Sequence, residues 1–211
     1  MTPKQINYER TAQTIIRNLE RRQMKGYYYA TAKEAVQGIL DMIPQGASIG
    51  WGGSMTLQET GLMDAVRGGQ YMIFDRDAKM DDDTRRKVYA DILNCDFFLM
   101  STNAITMDGE LVNIDGRGSR VAFLCFGPSN VLVVAGMNKV VSDVDSGIKR
   151  VRDIAAPPNA TRLDRKTPCT ATGKCGDCTA PGCICSQTVV TRFSTIPDRI
   201  KVILVGEELG Y

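Results

Sequence analysis

Short apolar runs rich in branched side chains alternate with amphipathic stretches along most of this chain, and that alternation constrains its fold more than any other feature. Ser48–Trp51, Tyr71–Phe74, Asp96–Ser101, Asn130–Ala135 and Ile200–Val205 read as strands. Residues 4–25, Thr31–Met42, Thr56–Arg67, Asp81–Asn94 and Asp143–Ile154 read as helices, with Arg117–Phe126 a further helix or buried segment. Asn-Val-Leu-Val-Val-Ala at 130–135 is apolar at nearly every position, as a strand covered on both faces must be. Asp108-Gly109 predicts a hairpin joining Ser101–Thr106 to Glu110–Ile114. The pattern predicts an α/β domain, layered on a largely parallel sheet.

The alternation stops between about Ala155 and Thr195, where Pro, Gly and Thr accumulate and cysteines concentrate. Cys169, Cys175, Cys178, Cys183 and Cys185 follow C-x5-C-x2-C-x4-C-x1-C, and the chain has no histidine. Thiolates select soft metals, so an iron–sulfur cluster or a structural zinc is expected there, tying together a loop with too little apolar surface for a core of its own, with thiol redox or disulfide pairing the remaining alternative. Without imidazole, no His-based dyad or triad is available. Cys95 and Cys125 fall in apolar segments and read as core residues. The expected organisation is an N-terminal helix (1–25), an α/β domain (26–160), a Cys-rich loop (161–195) and a terminal strand returning to the sheet (196–211).

Charge narrows the partners. With 26 Lys and Arg against 24 Asp and Glu, the net charge is +2, which gives no push toward nucleic acid. The apolar runs near Val121–Phe126 and Val131–Met137 are too short to span a bilayer, so no membrane insertion and a cytoplasmic address are expected. The apolar face of the first helix (Ala12, Ile15, Ile16, Leu19) would serve either a homodimer or docking onto the chain's own sheet.

Three polar segments fall where strands end. Gly52-Gly53-Ser54-Met55-Thr56 leaves one strand and enters a helix that carries Glu59; its glycines either expose backbone N–H groups to an anion or simply permit a tight turn. Asn103 and the run through Asn113, Asp115, Gly116 and Arg120 end another, as either a ligand crevice or a self-contained hairpin. Asn138 and Lys139 follow the valine-rich strand. Together they suit a crevice for a small carboxylate or anionic cofactor, with Arg120 or Lys139 on its charged end and Asn103 orienting it.

Gly-Gly-Ser-Met-Thr-Leu-Gln-Glu-Thr-Gly-Leu (52–62), Ser-Thr-Asn-Ala-Ile-Thr-Met-Asp-Gly-Glu-Leu-Val-Asn-Ile-Asp-Gly (101–116), Val-Val-Ala-Gly-Met-Asn-Lys-Val-Val (133–141) and the Pro168–Cys185 tail together resemble the LUD-domain family of lactate utilization proteins. The resemblance implies a fold like that of the sugar-phosphate isomerase and coenzyme A transferase superfamily. It also implies a role, with iron–sulfur protein partners, in oxidising lactate to pyruvate. The family pattern matches at Glu59, Asn103, Asp115, Gly116, Arg120, Asn138 and Lys139, and at Cys169, Cys175, Cys178 and Cys185. Cys183 departs from it, where relatives often carry a basic residue. On this reading Glu59, Asn103 and Arg120 are the catalytic candidates. Gly52, Gly53, Ser54, Thr56, Asp115, Gly116, Asn138 and Lys139 bind the cofactor, and the four matching cysteines bind metal. Two alternatives stand beside it: a zinc-clipped metabolite-binding or regulatory module, and an acyl or coenzyme A transferase-like enzyme using the Glu59 carboxylate.

Overall fold

Periodic stretches of sequence become the layers of the fold. The computed structural model describes residues 1–211. In chain order its elements are α1 (Pro3–Arg21), β1 (Lys25–Tyr29), α2 (Ala32–Met42), β2 (Ser48–Trp51), α3 (Met55–Glu59), α4 (Leu62–Arg67), β3 (Met72–Phe74), α5 (Asp82–Leu93), β4 (Phe97–Met100), β5 (Ala104–Thr106) and β6 (Leu111–Asp115). They continue with α6 (Ser119–Cys125), β7 (Asn130–Gly136), a 3-10 turn (Met137–Lys139), β8 (Val140–Val141), α7 (Val144–Arg150), α8 (Ala156–Arg162), α9 (Pro168–Thr172), β9 (Gln187–Thr191) and β10 (Ile200–Val205).

Six strands form one wholly parallel sheet in the order β1-β10-β7-β4-β2-β3. Its centre shows why β7 is apolar throughout. Val131, Val133 and Ala135 face a core shared with Ala12, Ile15 and Leu19 of α1, Ile92 of α5 and Phe123 of α6. The intervening Leu132 and Val134 face the opposite core, with Ala35 and Ile39 of α2 and Leu62 and Val66 of α4. Period-two alternation therefore delivers apolar side chains to two cores at once. The apolar face of α1 packs into the chain's own core, with Ala12, Ile15 and Leu19 fully buried and Ile16 partly so.

A second sheet, β8-β5-β6-β9, lies beside the first and contains the expected hairpin, Ala104 opposite Val112 and Ile105 opposite Leu111. β9 extends it, antiparallel to β6 from Asp115–Gln187 to Leu111–Thr191. The stretch read as an unstructured Cys-rich loop thus contains a strand. Its partner is backbone rather than core, and its side chains are exposed or half-buried, so no apolar alternation marks it in sequence.

Helix boundaries shift for local reasons. α1 stops at Arg21, short of residue 25, with Gln23 at a positive φ of 57°, and Lys25–Tyr29 becomes an edge strand pairing with β10. The helix expected over Thr56–Arg67 breaks in two at Gly61, whose φ of 75° suits glycine. The one expected over Asp143–Ile154 runs on, through a π-helical turn at Val151–Ala155, into α8. Cys95 is buried, which pushes its thiol up to about 11. Cys125 is not in the core; it ends α6 and is exposed.

The close contact of β2 with α5 offers a test of this layering. A Cβ placed on Gly50 would lie 2.6 Å from Ile92 Cγ1, with Ile92 itself fully buried. Gly50→Ala is therefore expected to destabilise the fold by about 1–3 kcal/mol, read as a lower denaturant midpoint at unchanged slope. An unchanged midpoint would contradict the packing of α5 on β2.

Candidate functional site

The order in which the chain visits the parallel strands reverses between β2 and β4: it leaves β2 outward to β3, and leaves β4 the other way toward β7. Ligands of open α/β sheets bind outside the carboxyl ends of strands at such a point. A cleft of about 610 Å³ opens there. Gly53–Thr56 after β2, Arg76 after β3, Ser101–Asn103 after β4 and Lys139 after β7 all line it.

Arg120 builds the cleft rather than binding in it. Its Nε donates to Asp115 Oδ1 at 3.0 Å, Nη1 to Ser101 O at 3.0 Å and to Asn113 Oδ1, and Nη2 to Asn103 Oδ1 at 2.9 Å and Ile114 O at 3.2 Å. All five guanidinium hydrogens are thus taken inside the chain. Arg120 does hold a carboxylate, but it is that of Asp115, which also accepts from the Arg120 backbone N–H. Asn103 is likewise engaged, its Oδ1 also accepting from Ile114 N at 3.0 Å. Gly52 serves the same clasp, since a Cβ there would lie 2.9 Å from Arg120 Cγ. A Cβ on Gly116 would press to 3.3 Å from Ile184 Cα, so this glycine lets the cysteine loop pack on the hairpin end. Gly53 meets nothing and opens onto the cleft.

Lys139 lies at the cleft floor, only 4 % exposed. Its Nζ donates to Thr56 Oγ1 at 2.7 Å and Ser101 Oγ at 2.9 Å, and it takes part in no ion pair. Burial, then the nearby Arg150 and Arg120 charges, push it down to about 7, with Glu59 opposing. Ser54 caps α3 through Leu57 N.

Glu59 and Asn138 have other work and do not line the cleft. Glu59 Oε2 accepts from Gly210 N at 2.6 Å, and Asn138 Oδ1 accepts from Leu209 N at 3.1 Å. With Thr56 Oγ1 donating to Leu209 O, they hold residues 209–210 across the carboxyl ends of the strands, bringing Tyr211 to the cleft wall.

The lining is strongly cationic. Arg76, Arg85, Arg117, Arg162 and Arg165 join Arg120 and Lys139, against the single carboxylate of Asp115. Arg76 Nε is buried without a hydrogen-bond partner, its guanidinium 5.7 Å from the centre of the Tyr89 ring. The position of Arg76 just past a parallel strand is a sequence signal for a site residue. Arg162 and Arg165, brought in by α8 and the turn after it, carry no such signal.

The cysteine loop forms part of the same wall through Pro181, Gly182, Cys183 and Ile184. All its cysteines are free and half-buried. Burial first, then neighbouring Cys183, Cys175 and Cys169, push the Cys185 thiol up to about 12. These sulfurs feel one another's charge, yet no three or more acidic or thiol groups converge into a closed ligand shell. The donor chemistry, thiols alone from one loop, fits a soft metal or cluster. Arg152 Nη2 reaches Asp177 between Cys175 and Cys178 at 2.5 Å, tying the loop to the π-helical turn.

The Lys139 environment gives a signed pH dependence. Its folded value, about 7, lies below the ordinary 10.5, so between those pH values the unfolded chain binds the extra proton and stability from this group rises with pH. Below about pH 7 both states are protonated and the contribution is flat. Relative to Lys139→Met, the wild-type protein should gain stability from about pH 7 to 10 in denaturant titrations. A constant difference would contradict a desolvated amine.

The LUD domain family matches residues 12–205. Among solved structures the fold is similar to that of a DUF162 family protein from Deinococcus radiodurans, at 13% identity and a TM-score of 0.51, over 95% of this chain and 98% of that one. Comparison with curated proteins gives no match. No helix is long and apolar enough to cross a membrane. With 194 of its 211 residues spanned by the family match (12 through 205), and the expected α/β fold in place, the chain belongs to the LUD-domain family.

Proposed function

We propose that this protein is a redox accessory or component in the oxidation of lactate to pyruvate. A small carboxylate or anionic cofactor occupies the cationic cleft, and the C-terminal cysteines hold an iron–sulfur cluster or a metal. One observation carries the reading: the cysteine loop and a cleft lined by six arginines and one side-chain carboxylate share a wall at Pro181–Ile184. Excess positive charge in a concave, partly desolvated site raises the local concentration of anions and holds them by charge-assisted hydrogen bonds. Arg76 after β3, Arg85 on α5, and Arg117, Arg162 and Arg165 are the anion-holding groups, because Arg120 is fully engaged within the chain.

Cys169, Cys175, Cys178 and Cys185 are the residues that would hold the cluster, and when bound such a group supplies a site for single electrons. The chain's own contribution is placement. Gly116 lets Ile184 pack on the hairpin end, which sets the loop against the crevice where the anion lies. Iron–sulfur protein partners would exchange electrons with this face of the molecule.

The test is iron, sulfide and zinc analysis of protein purified without oxygen, together with its visible spectrum. Iron with matching sulfide and a band that bleaches on reduction is expected, with both lost in Cys178→Ser. Stoichiometric zinc without colour would support a zinc-clipped binding or regulatory module instead. Folded, colourless and metal-free protein would overturn the redox reading.

A further inference from the structure

The cleft floor holds a buried amine that donates to two hydroxyls and takes part in no ion pair. Thr56 Oγ1 sends its own hydrogen to Leu209 O at 3.3 Å, and Ser101 Oγ has Thr102 O at 3.2 Å and Thr56 Oγ1 at 3.4 Å as acceptors for its single hydrogen. Both hydroxyls therefore turn lone pairs toward Lys139 Nζ and accept from it. A neutral amine has two hydrogens and one lone pair. The two hydrogens are taken, and the lone pair is left without a donor. An ammonium in the same place would keep a third N–H with no partner inside the chain. Gly210 closes one side tightly, since a Cβ there would lie 3.4 Å from Nζ and 2.6 Å from Thr56 Oγ1. Lys139 nonetheless lines the cleft.

We propose that Lys139 is a nucleophile that condenses with the carbonyl group of a 2-oxo acid held in the cleft, forming an imine. The two halves of that substrate match two features of the site: the carboxylate matches the arginine rim, and the electrophilic carbonyl matches an unclaimed amine lone pair. The step balances without an oxidant. The Nζ lone pair forms the C–N bond as the carbonyl π pair moves to oxygen, and a proton passes from nitrogen to that oxygen. The resulting hydroxyl then takes up a further proton and leaves as water, as nitrogen forms the C=N bond and loses its remaining hydrogen, so that carbonyl and primary amine become imine and water. Depression of Lys139 to about 7 leaves much of the amine unprotonated at neutral pH, in keeping with this role. The imine would retain the 2-oxo acid covalently at the cleft floor and acidify hydrogens on its adjacent carbon.

This inference rests on the proposed carboxylate-binding role of the cleft, and its test separates the two. Native protein is incubated with pyruvate and sodium cyanoborohydride, then examined by intact mass and peptide mapping. A parallel calorimetric titration with pyruvate alone measures binding. A single reduced adduct per chain is expected, mapping to Lys139 in the wild-type protein and absent from Lys139→Arg. Saturable binding without an adduct on Lys139 would overturn the imine while leaving the carboxylate site standing. Adducts spread evenly over exposed lysines would also overturn it, and neither binding nor adduct would overturn both. Mapping on the wild-type chain keeps the result independent of how well Lys139→Arg folds.

Discussion

The Arg120 guanidinium joins three pieces of chain that the parallel sheet alone would leave apart. It binds the end of β4 through Ser101 O, the β5–β6 hairpin through Asn103, Asn113, Ile114 O and Asp115, and it belongs to α6 itself. A buried guanidinium is tolerable only when each of its donors is satisfied and its charge is paired, and both conditions hold here. The requirement reaches outward. Gly52 must lack a side chain so that Arg120 can cross it, and Ser101 must hold its place, because its carbonyl serves Arg120 while its hydroxyl serves Lys139. One residue thus couples the clasp to the amine at the cleft floor.

The second constraint is electrostatic. Concentrating arginines around a cleft while burying a lysine beneath them is unfavourable in an empty fold, and Lys139 responds by giving up its proton more readily. Other buried cations in this chain are handled differently. Arg199 is as buried as Arg120 but donates to the carbonyls of Phe123, Leu124 and Pro128, where it caps the end of α6. Arg150 donates to Asn138 O and Asn103 O. These are structural cations with chain partners. Arg76 and Arg85 line the cleft with weaker claims on them, Asp77 Oδ1 at 3.7 Å from Arg76 Nε and Met80 O at 3.4 Å from Arg85 Nη2, and that contrast marks the site.

Much of this was legible in sequence wherever local pattern and tertiary demand agree. The β7 run and the Asp108-Gly109 turn specify their own structure. Edge elements were not legible: Lys25–Tyr29 and Gln187–Thr191 pair through backbone and are only partly buried, so their side chains carry little periodic signal. The polar segments after β2, β4 and β7 were readable as site-forming because strand ends fix where they fall. The roles within them were not. Glu59, Asn138 and Arg120 are suited to ligand binding by type, and only the fold reveals that Gly210 N, Leu209 N and Asp115 reach them first. Arg162 and Arg165 come from a helix extension through a π-helical turn, which composition does not announce.

Whether an anion binds among these particular arginines is tested most directly by side-chain NMR of the guanidinium Nε–H groups during titration with pyruvate or lactate. A saturable shift of the Arg76 and Arg85 resonances is expected, with Arg120 and Arg199, whose Nε–H groups are already hydrogen-bonded within the chain, nearly still. Uniform small shifts across exposed arginines such as Arg10, Arg17 and Arg21, with Arg76 unmoved, would contradict it.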